Sequence, residues 1–76
     1  MRLKDLREDK DIKQKYLADT ILNCAQNTYS QYESGKREIP NKSLIKLALF
    51  YNTSTDYILG LTDNPKPYDR SNIKLV

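Results

Sequence analysis

The residues of this chain whose types and spacing can do specific chemistry sit in one run, Gln26-Asn27-Thr28-Tyr29-Ser30-Gln31-Tyr32-Glu33-Ser34. On a helical wheel at about 100° per residue, Gln26, Asn27, Ser30, Gln31 and Ser34 fall within an arc of about 140°. Tyr29 and Tyr32 lie opposite, with Thr28 and Glu33 at the margins. One face is therefore all amide and hydroxyl, and the other is aromatic. Ordinary solvated helix faces carry Lys and Glu, which favour solubility and helix formation. Amides and hydroxyls favour neither. They do match the base edges of a major groove, where Gln or Asn pairs bidentately with adenine and Ser serves several bases. On these residues alone two readings stand: a solvated face, the commonest fate of such a surface, and a face that reads bases.

Other chemistries find little material. There is one cysteine, Cys24, and no histidine, so neither an internal disulfide nor a Cys/His zinc site is available. Cys24 reads as a small apolar residue in a reducing compartment. No Gly-rich phosphate loop is present and no base stands near Cys24 to activate it. Glu8, Asp9 and Asp11 sit among lysines and read as a solvated helix end and turn. No enzyme, metal, cofactor or small-molecule ligand is expected. The net charge of +3 permits a polyanionic partner without demanding one. Met1 to Lys10 has no apolar core like that of a signal peptide, and the longest apolar run, Leu47 to Tyr51, is far short of the ~20 residues that span a bilayer. A cytoplasmic protein with no membrane contact is expected.

Apolar periodicity near 3.6 dominates, and it predicts an all-α fold of five helices. Helix 1 is expected over about Arg2 to Asp9, with Leu3 and Leu6 inward. Helix 2 starts near Lys13 and carries Leu17, Ala18 and Ile21 on one face. It breaks around Leu22 to Cys24, where Asn23 is a candidate cap. Helix 3 runs from about Ala25 to Ser34 and stops at Gly35 in the left-handed region. After the basic loop Lys36 to Pro40, Asn41 is expected to cap helix 4, with Leu44, Leu47 and Ala48 inward and Asn52 at its end. Thr53 or Ser54 caps helix 5, with Asp56 as the reaching-back acid of a capping box, and Gly60 closes it. From Thr62 the composition shifts, and Asn64-Pro65-Lys66-Pro67 cannot continue a helix. A domain over 1–61 is thus followed by a tail over 62–76, in which Ser71 to Val76 is either disordered or a strand.

The run from Arg2 to Asn64 resembles the phage-repressor and Cro-type helix-turn-helix domains, the xenobiotic-response-element-like family of bacterial regulators. The likeness is carried by Arg2-Leu3-Lys4 and Leu6-Arg7, then Gln14, Leu17 and Ala18. It continues through Gln26 to Arg37 with Pro40, and is completed by Leu44 to Ala48 and Asp56-Tyr57-Ile58-Leu59-Gly60. The resemblance implies a five-helix lambda-repressor-like domain with the helix-turn-helix at helices 2 and 3. It implies sequence-specific binding to a double-stranded DNA operator and transcriptional regulation, with repression expected.

It also implies roles. Gln26, Asn27 and Gln31 match base-contacting positions, and Ser30 joins them on the same face. Gln14 matches a position that touches a phosphate while bracing helix 3. Ser34, Lys36, Arg37 and Asn41 match phosphate-contacting or groove-edge positions. Arg7 and Glu33 match an internal ion pair, so Arg7 is expected to be structural rather than a DNA contact. Tyr29 and Tyr32 match inward positions. The chain departs from the pattern in three places. Lys13 and Ala25 stand where Ser or Thr is usual, and one extra residue falls around Ile21 to Asn23, either in the turn or as a bulge at the end of helix 2.

The family usually dimerises, and two copies on a two-fold axis meet half-sites about 10 bp apart. Helix 5 and the tail, through Leu61, Tyr68, Ile73, Leu75 and Val76, are the expected surface for a homodimer, with a disordered tail as the other reading. No separate ligand-sensing domain is expected, and regulation is expected from abundance, a partner protein or competition for sites. The alternative function is a protein-interaction module, such as the antitoxin half of a toxin–antitoxin pair.

Overall fold

The structure, a computed structural model, describes residues 1–69. The expectations for Ser71 to Val76, including Ile73, Leu75 and Val76 as an association surface, lie outside the described residues. Within them the regular elements are all helical: α1 over Leu3–Asp9, a second helix from Gln14, α3 over Gln26–Ser34, α4 over Asn41–Phe50 and α5 over Thr55–Leu59. The second helix starts as an α-helix over Gln14–Tyr16, here α2, and continues without a break as a π-helix over Leu17–Leu22.

That π-turn locates the extra residue. Its wider winding lets Leu17, Ala18 and Leu22 turn inward together, whereas Ile21, expected on that face, is only half-buried. Asn23 then ends the helix in the left-handed region at φ 52°, donating its N–H to the Ala18 carbonyl. The next N–H, that of Cys24, reaches the same carbonyl at 2.9 Å. Asn tolerates this conformation better than most residues, and it serves as a C-cap here, not as a cap for α3.

Two further caps differ from expectation. Pro40 holds the N-cap position of α4, so Asn41 is the first helical residue and makes no capping hydrogen bond. A proline there sacrifices no helical hydrogen bond, because N–H groups at the start of a helix have no intrahelical acceptor. In α5 the cap is Ser54, whose Oγ accepts from the Tyr57 N–H at 3.0 Å. That choice puts Tyr57, not Asp56, at the capping-box position. Asp56 accepts instead from the Tyr68 hydroxyl at 2.9 Å.

Leu3, Leu17, Ala18, Leu22, Tyr29, Tyr32, Leu44, Leu47, Ala48, Tyr51 and Ile58 form the core. The π-helix, α3 and α4 supply most of it, α1 and α5 add Leu3 and Ile58, and burying each large aliphatic chain contributes about 1.5–3 kcal/mol. Residues 62–69 fold back over the last helices. Thr53 Oγ1 donates to the Pro65 carbonyl at 2.6 Å. The Arg2 guanidinium lies 4.2 Å from the centre of the Tyr57 ring. It also donates to the Thr62 carbonyl at 2.9 Å and to Asp63 at 2.7 Å.

Tyr51 breaks one rule of buried polar groups, because its hydroxyl is enclosed without a protein partner. Burial, and then the nearby Glu33 charge, push this phenol up to about 12. Removing the oxygen takes away a group that was desolvated for little return. Tyr51→Phe is therefore expected to leave stability unchanged or raise it by up to ~1 kcal/mol in urea unfolding. A clear loss would mean that the hydroxyl is bonded in solution.

Candidate nucleic-acid interface

The polar face of α3 is presented outward by its aromatic face. Tyr29 is fully buried and Tyr32 nearly so, with the two rings meeting edge to face at 6.5 Å. With that side anchored, Gln26, Asn27 and Ser34 are exposed, and Ser30 and Gln31 are half-buried beside them. Ala25 enters the helix extended and offers no side-chain cap, so the first amide groups of α3 stay open to solvent or a ligand.

The basic loop is fixed to the far end of this helix. Gly35 adopts φ 80°, a region that costs a residue without Cβ little. The chain then folds back so that the N–H groups of Lys36 and Arg37 both donate to the Gln31 carbonyl, at 3.0 and 3.3 Å. Ser34 Oγ donates to the same oxygen at 3.2 Å. Lys36, Arg37 and Asn41 are exposed, and the two cations follow directly on the C-terminal end of α3.

Beneath this surface lies an ion pair between α1 and α3. Arg7 Nε donates to Glu33 Oε2 at 2.6 Å and Nη2 to Oε1 at 3.2 Å. Its Nη1 donates to the Ile12 carbonyl at 2.8 Å, tying down the loop between α1 and α2. Gln14 Nε2 donates to Glu33 Oε1 at 3.1 Å, so the first residue of α2 is braced against α3. The side chains of Arg7 and Glu33 are 14% and 6% exposed, which makes the pair internal. Burial pushes the Glu33 carboxyl up, but hydrogen bonding from Arg7, with the Tyr29 hydroxyl and Gln14 beside it, outweighs burial and holds it below its ordinary value. Planar, bidentate geometry of this kind orients elements strongly.

Of the residues expected to face bases or phosphates, Gln14, Ser30 and Ser34 border one depression, and Arg7 and Glu33 are largely enclosed there. Lys4 joins them without having been assigned a part in the sequence. It is exposed on α1, three residues before Arg7, and borders the same shallow depression. Neither its residue type nor its i, i+3 spacing to Arg7 sets it apart in the sequence from a solvated lysine. Among the described residues no group of acidic, Cys or His side chains is placed to hold a metal ion. No described helix is long and apolar enough to cross a membrane.

A family model described as Helix-turn-helix matches residues 3–58. The chain is 40% identical over 74 residues to the uncharacterized HTH-type transcriptional regulator YobD of Bacillus subtilis (strain 168), covering 96% of this chain and 65% of that protein. It is 42% identical over 59 residues to the HTH-type transcriptional regulator ImmR of the same organism, covering 78% of this chain and 46% of ImmR. The regulator AnsR, also from that organism, is 41% identical over 59 residues, covering 78% of this chain and 50% of AnsR. The chain therefore spans about half to two-thirds of the length of these relatives. No solved structure gives a comparable match. The matched segment runs from α1 into α5 and includes the whole polar face of α3, so the chain belongs to the helix-turn-helix family of the Cro and xenobiotic-response-element type.

Proposed function

We propose that this chain is a sequence-specific DNA-binding transcriptional regulator, acting inside the cell as a repressor, that seats α3 in the major groove of a duplex operator. The observation that carries the reading is the amide and hydroxyl face of α3, held outward by two buried tyrosines and followed by Lys36 and Arg37. In this reading Gln26, Asn27, Ser30 and Gln31 meet base edges. Gln14, Ser34, Lys36, Arg37 and Asn41 meet phosphates, which set register and affinity without carrying sequence. The relatives' names as transcriptional regulators support the same assignment.

Dimeric binding is part of the proposal. Leu49, Leu59, Leu61 and Tyr68 are large hydrophobic residues left exposed on α4, α5 and the start of the tail. Leu49 and Tyr68 border one surface depression; exposed apolar groups of this kind mark association surfaces, and a second copy of the chain placed there yields the two-fold arrangement that paired half-sites require.

Selection of bound duplexes from a random-sequence pool at near-physiological salt tests the reading. Recovery of a two-fold symmetric motif supports readout and dimer together; recovery of one half-site keeps the reader and removes the dimer. An unenriched pool would overturn sequence-specific readout. On the recovered site, Asn27→Ala or Gln31→Ala is expected to cost ~1–3 kcal/mol and relax preference at one position per half-site. Lys36→Ala is expected to weaken binding to all sequences alike and flatten the salt slope by about one unit. Equal losses on every sequence for all three variants would refute the division into base and phosphate contacts.

A further inference from the structure

We infer that Lys4 of α1 is a further DNA-backbone contact, holding a phosphate in the depression between α1 and α3. The inference rests on the DNA-binding reading and extends its footprint to an element outside the helix-turn-helix.

The depression is lined by Lys4, Arg7, Gln14, Ser30, Glu33 and Ser34. Its charged groups divide unequally. Arg7 and Glu33 are spent on each other in bidentate contact, and Gln14 is turned toward Glu33 as well. Lys4 forms neither a salt bridge nor a side-chain hydrogen bond with any described residue, unlike Arg2, Arg7 and Lys15. The hollow thus presents one uncommitted cation and the Ser30 hydroxyl to whatever enters it, the Ser34 hydroxyl being turned to the Gln31 carbonyl. This donor set suits a phosphate oxygen, for which a lysine acts as a point charge.

Position supplies the second argument. Ser30 and Ser34 belong both to this hollow and to the polar face of α3. A helix is about 10–12 Å across and the major groove about 12 Å wide. With α3 seated in that groove, the elements at its flank lie against a sugar–phosphate strand. On this side the flank is α1, whose Lys4 stands next to the serines. Lys36 and Arg37 follow the same C-terminal end of α3, beyond Gly35, so a contact from α1 adds to the basic loop there.

The test compares the parent chain with Lys4→Ala, Lys4→Arg and the tail variant Lys66→Ala, which removes the same charge at an exposed site away from α3. Each is titrated against a fluorescein-labelled duplex recovered from the pool and against a scrambled duplex, at several salt concentrations. Lys4→Ala is expected to weaken binding to both duplexes by the same factor, and its deficit should shrink about three- to fourfold between 50 and 200 mM salt, the change for one lost phosphate contact. Lys4→Arg should bind as the parent does, and Lys66→Ala should keep the parental slope. Parental slope and affinity for Lys4→Ala would overturn the assignment alone. A loss confined to the recovered duplex would also overturn it, because that signature belongs to a base contact. Failure of the parent to bind either duplex would overturn the DNA reading itself, and this assignment with it.

Discussion

Glu33→Ala is expected to leave a large fraction of the chain unfolded at neutral pH. The substitution removes the carboxylate that receives both Arg7 bonds and the Gln14 bond, while the Arg7 guanidinium stays enclosed at 14% exposure. Breaking a buried pair by deleting one partner costs about 3–5 kcal/mol, because the remaining charge is uncompensated. A domain of this size has a total stability of roughly 4–11 kcal/mol, so the loss is comparable with the whole. Replacing both partners, as in Arg7→Leu with Glu33→Leu, removes the buried charges together and should recover much of the deficit. Urea unfolding of the parent, the single variant and the double variant decides the matter. A Glu33→Ala loss within about 1 kcal/mol would show that the pair contributes no more than an exposed salt bridge.

The same carboxylate gives stability a pH dependence of definite sign. Its folded-state pKa lies below the ordinary value of 4.5. A depressed acid contributes stability that is fully present above the unfolded pKa and is lost as pH falls through the folded one. The parent should therefore weaken below about pH 4.5 more steeply than the double variant, which has no carboxylate there to protonate.

This pair also marks the limit of what the sequence makes legible. The two faces of α3 follow from period alone, since an arc of amides opposite two tyrosines admits few other placements. Gly35 and Gly60 are legible for the same kind of reason: both end helices at positive φ, at 80° and 85°. Arg7 and Glu33 stand far apart in the chain and carry no local pattern, so their pairing enters only through family resemblance. Lys4 is hidden differently, because a lysine on an exposed helix looks the same whether it faces water or a phosphate. Caps are legible only to within a residue. Pro40 and Ser54 each win over a neighbour, through the fixed φ of proline and the better reach of Ser54 to the Tyr57 N–H. Asp56 loses its capping role to that one-residue shift.

The extra residue between Gln14 and Gln26 is the place where the sequence leaves two solutions, and a pair of deletions separates them, one tolerated and the other strongly destabilising. Removing Thr20, which is exposed and whose side chain bonds only to the Tyr16 carbonyl, brings Leu22 one position closer to Leu17 and Ala18. Their spacings become four and three, the ordinary inward stripe of an α-helix. The Asn23 N–H bond to the Ala18 carbonyl becomes a regular helical bond at the same time. Fold, melting temperature and the recovered duplex motif should all survive. Removing Cys24 takes about 3.8 Å of chain from the link between left-handed Asn23 and extended Ala25. Leu22 and Tyr29 then cannot both keep their places in the core, and the expected loss is that of a large aromatic anchor, about 3–5 kcal/mol. Survival of the Cys24 deletion with collapse of the Thr20 deletion would put the extra residue in the turn. The result bears on recognition as much as on stability. If the π-turn absorbs the insertion, the link into α3 keeps its length, and the polar face proposed to read bases is aimed as in family members of the usual spacing.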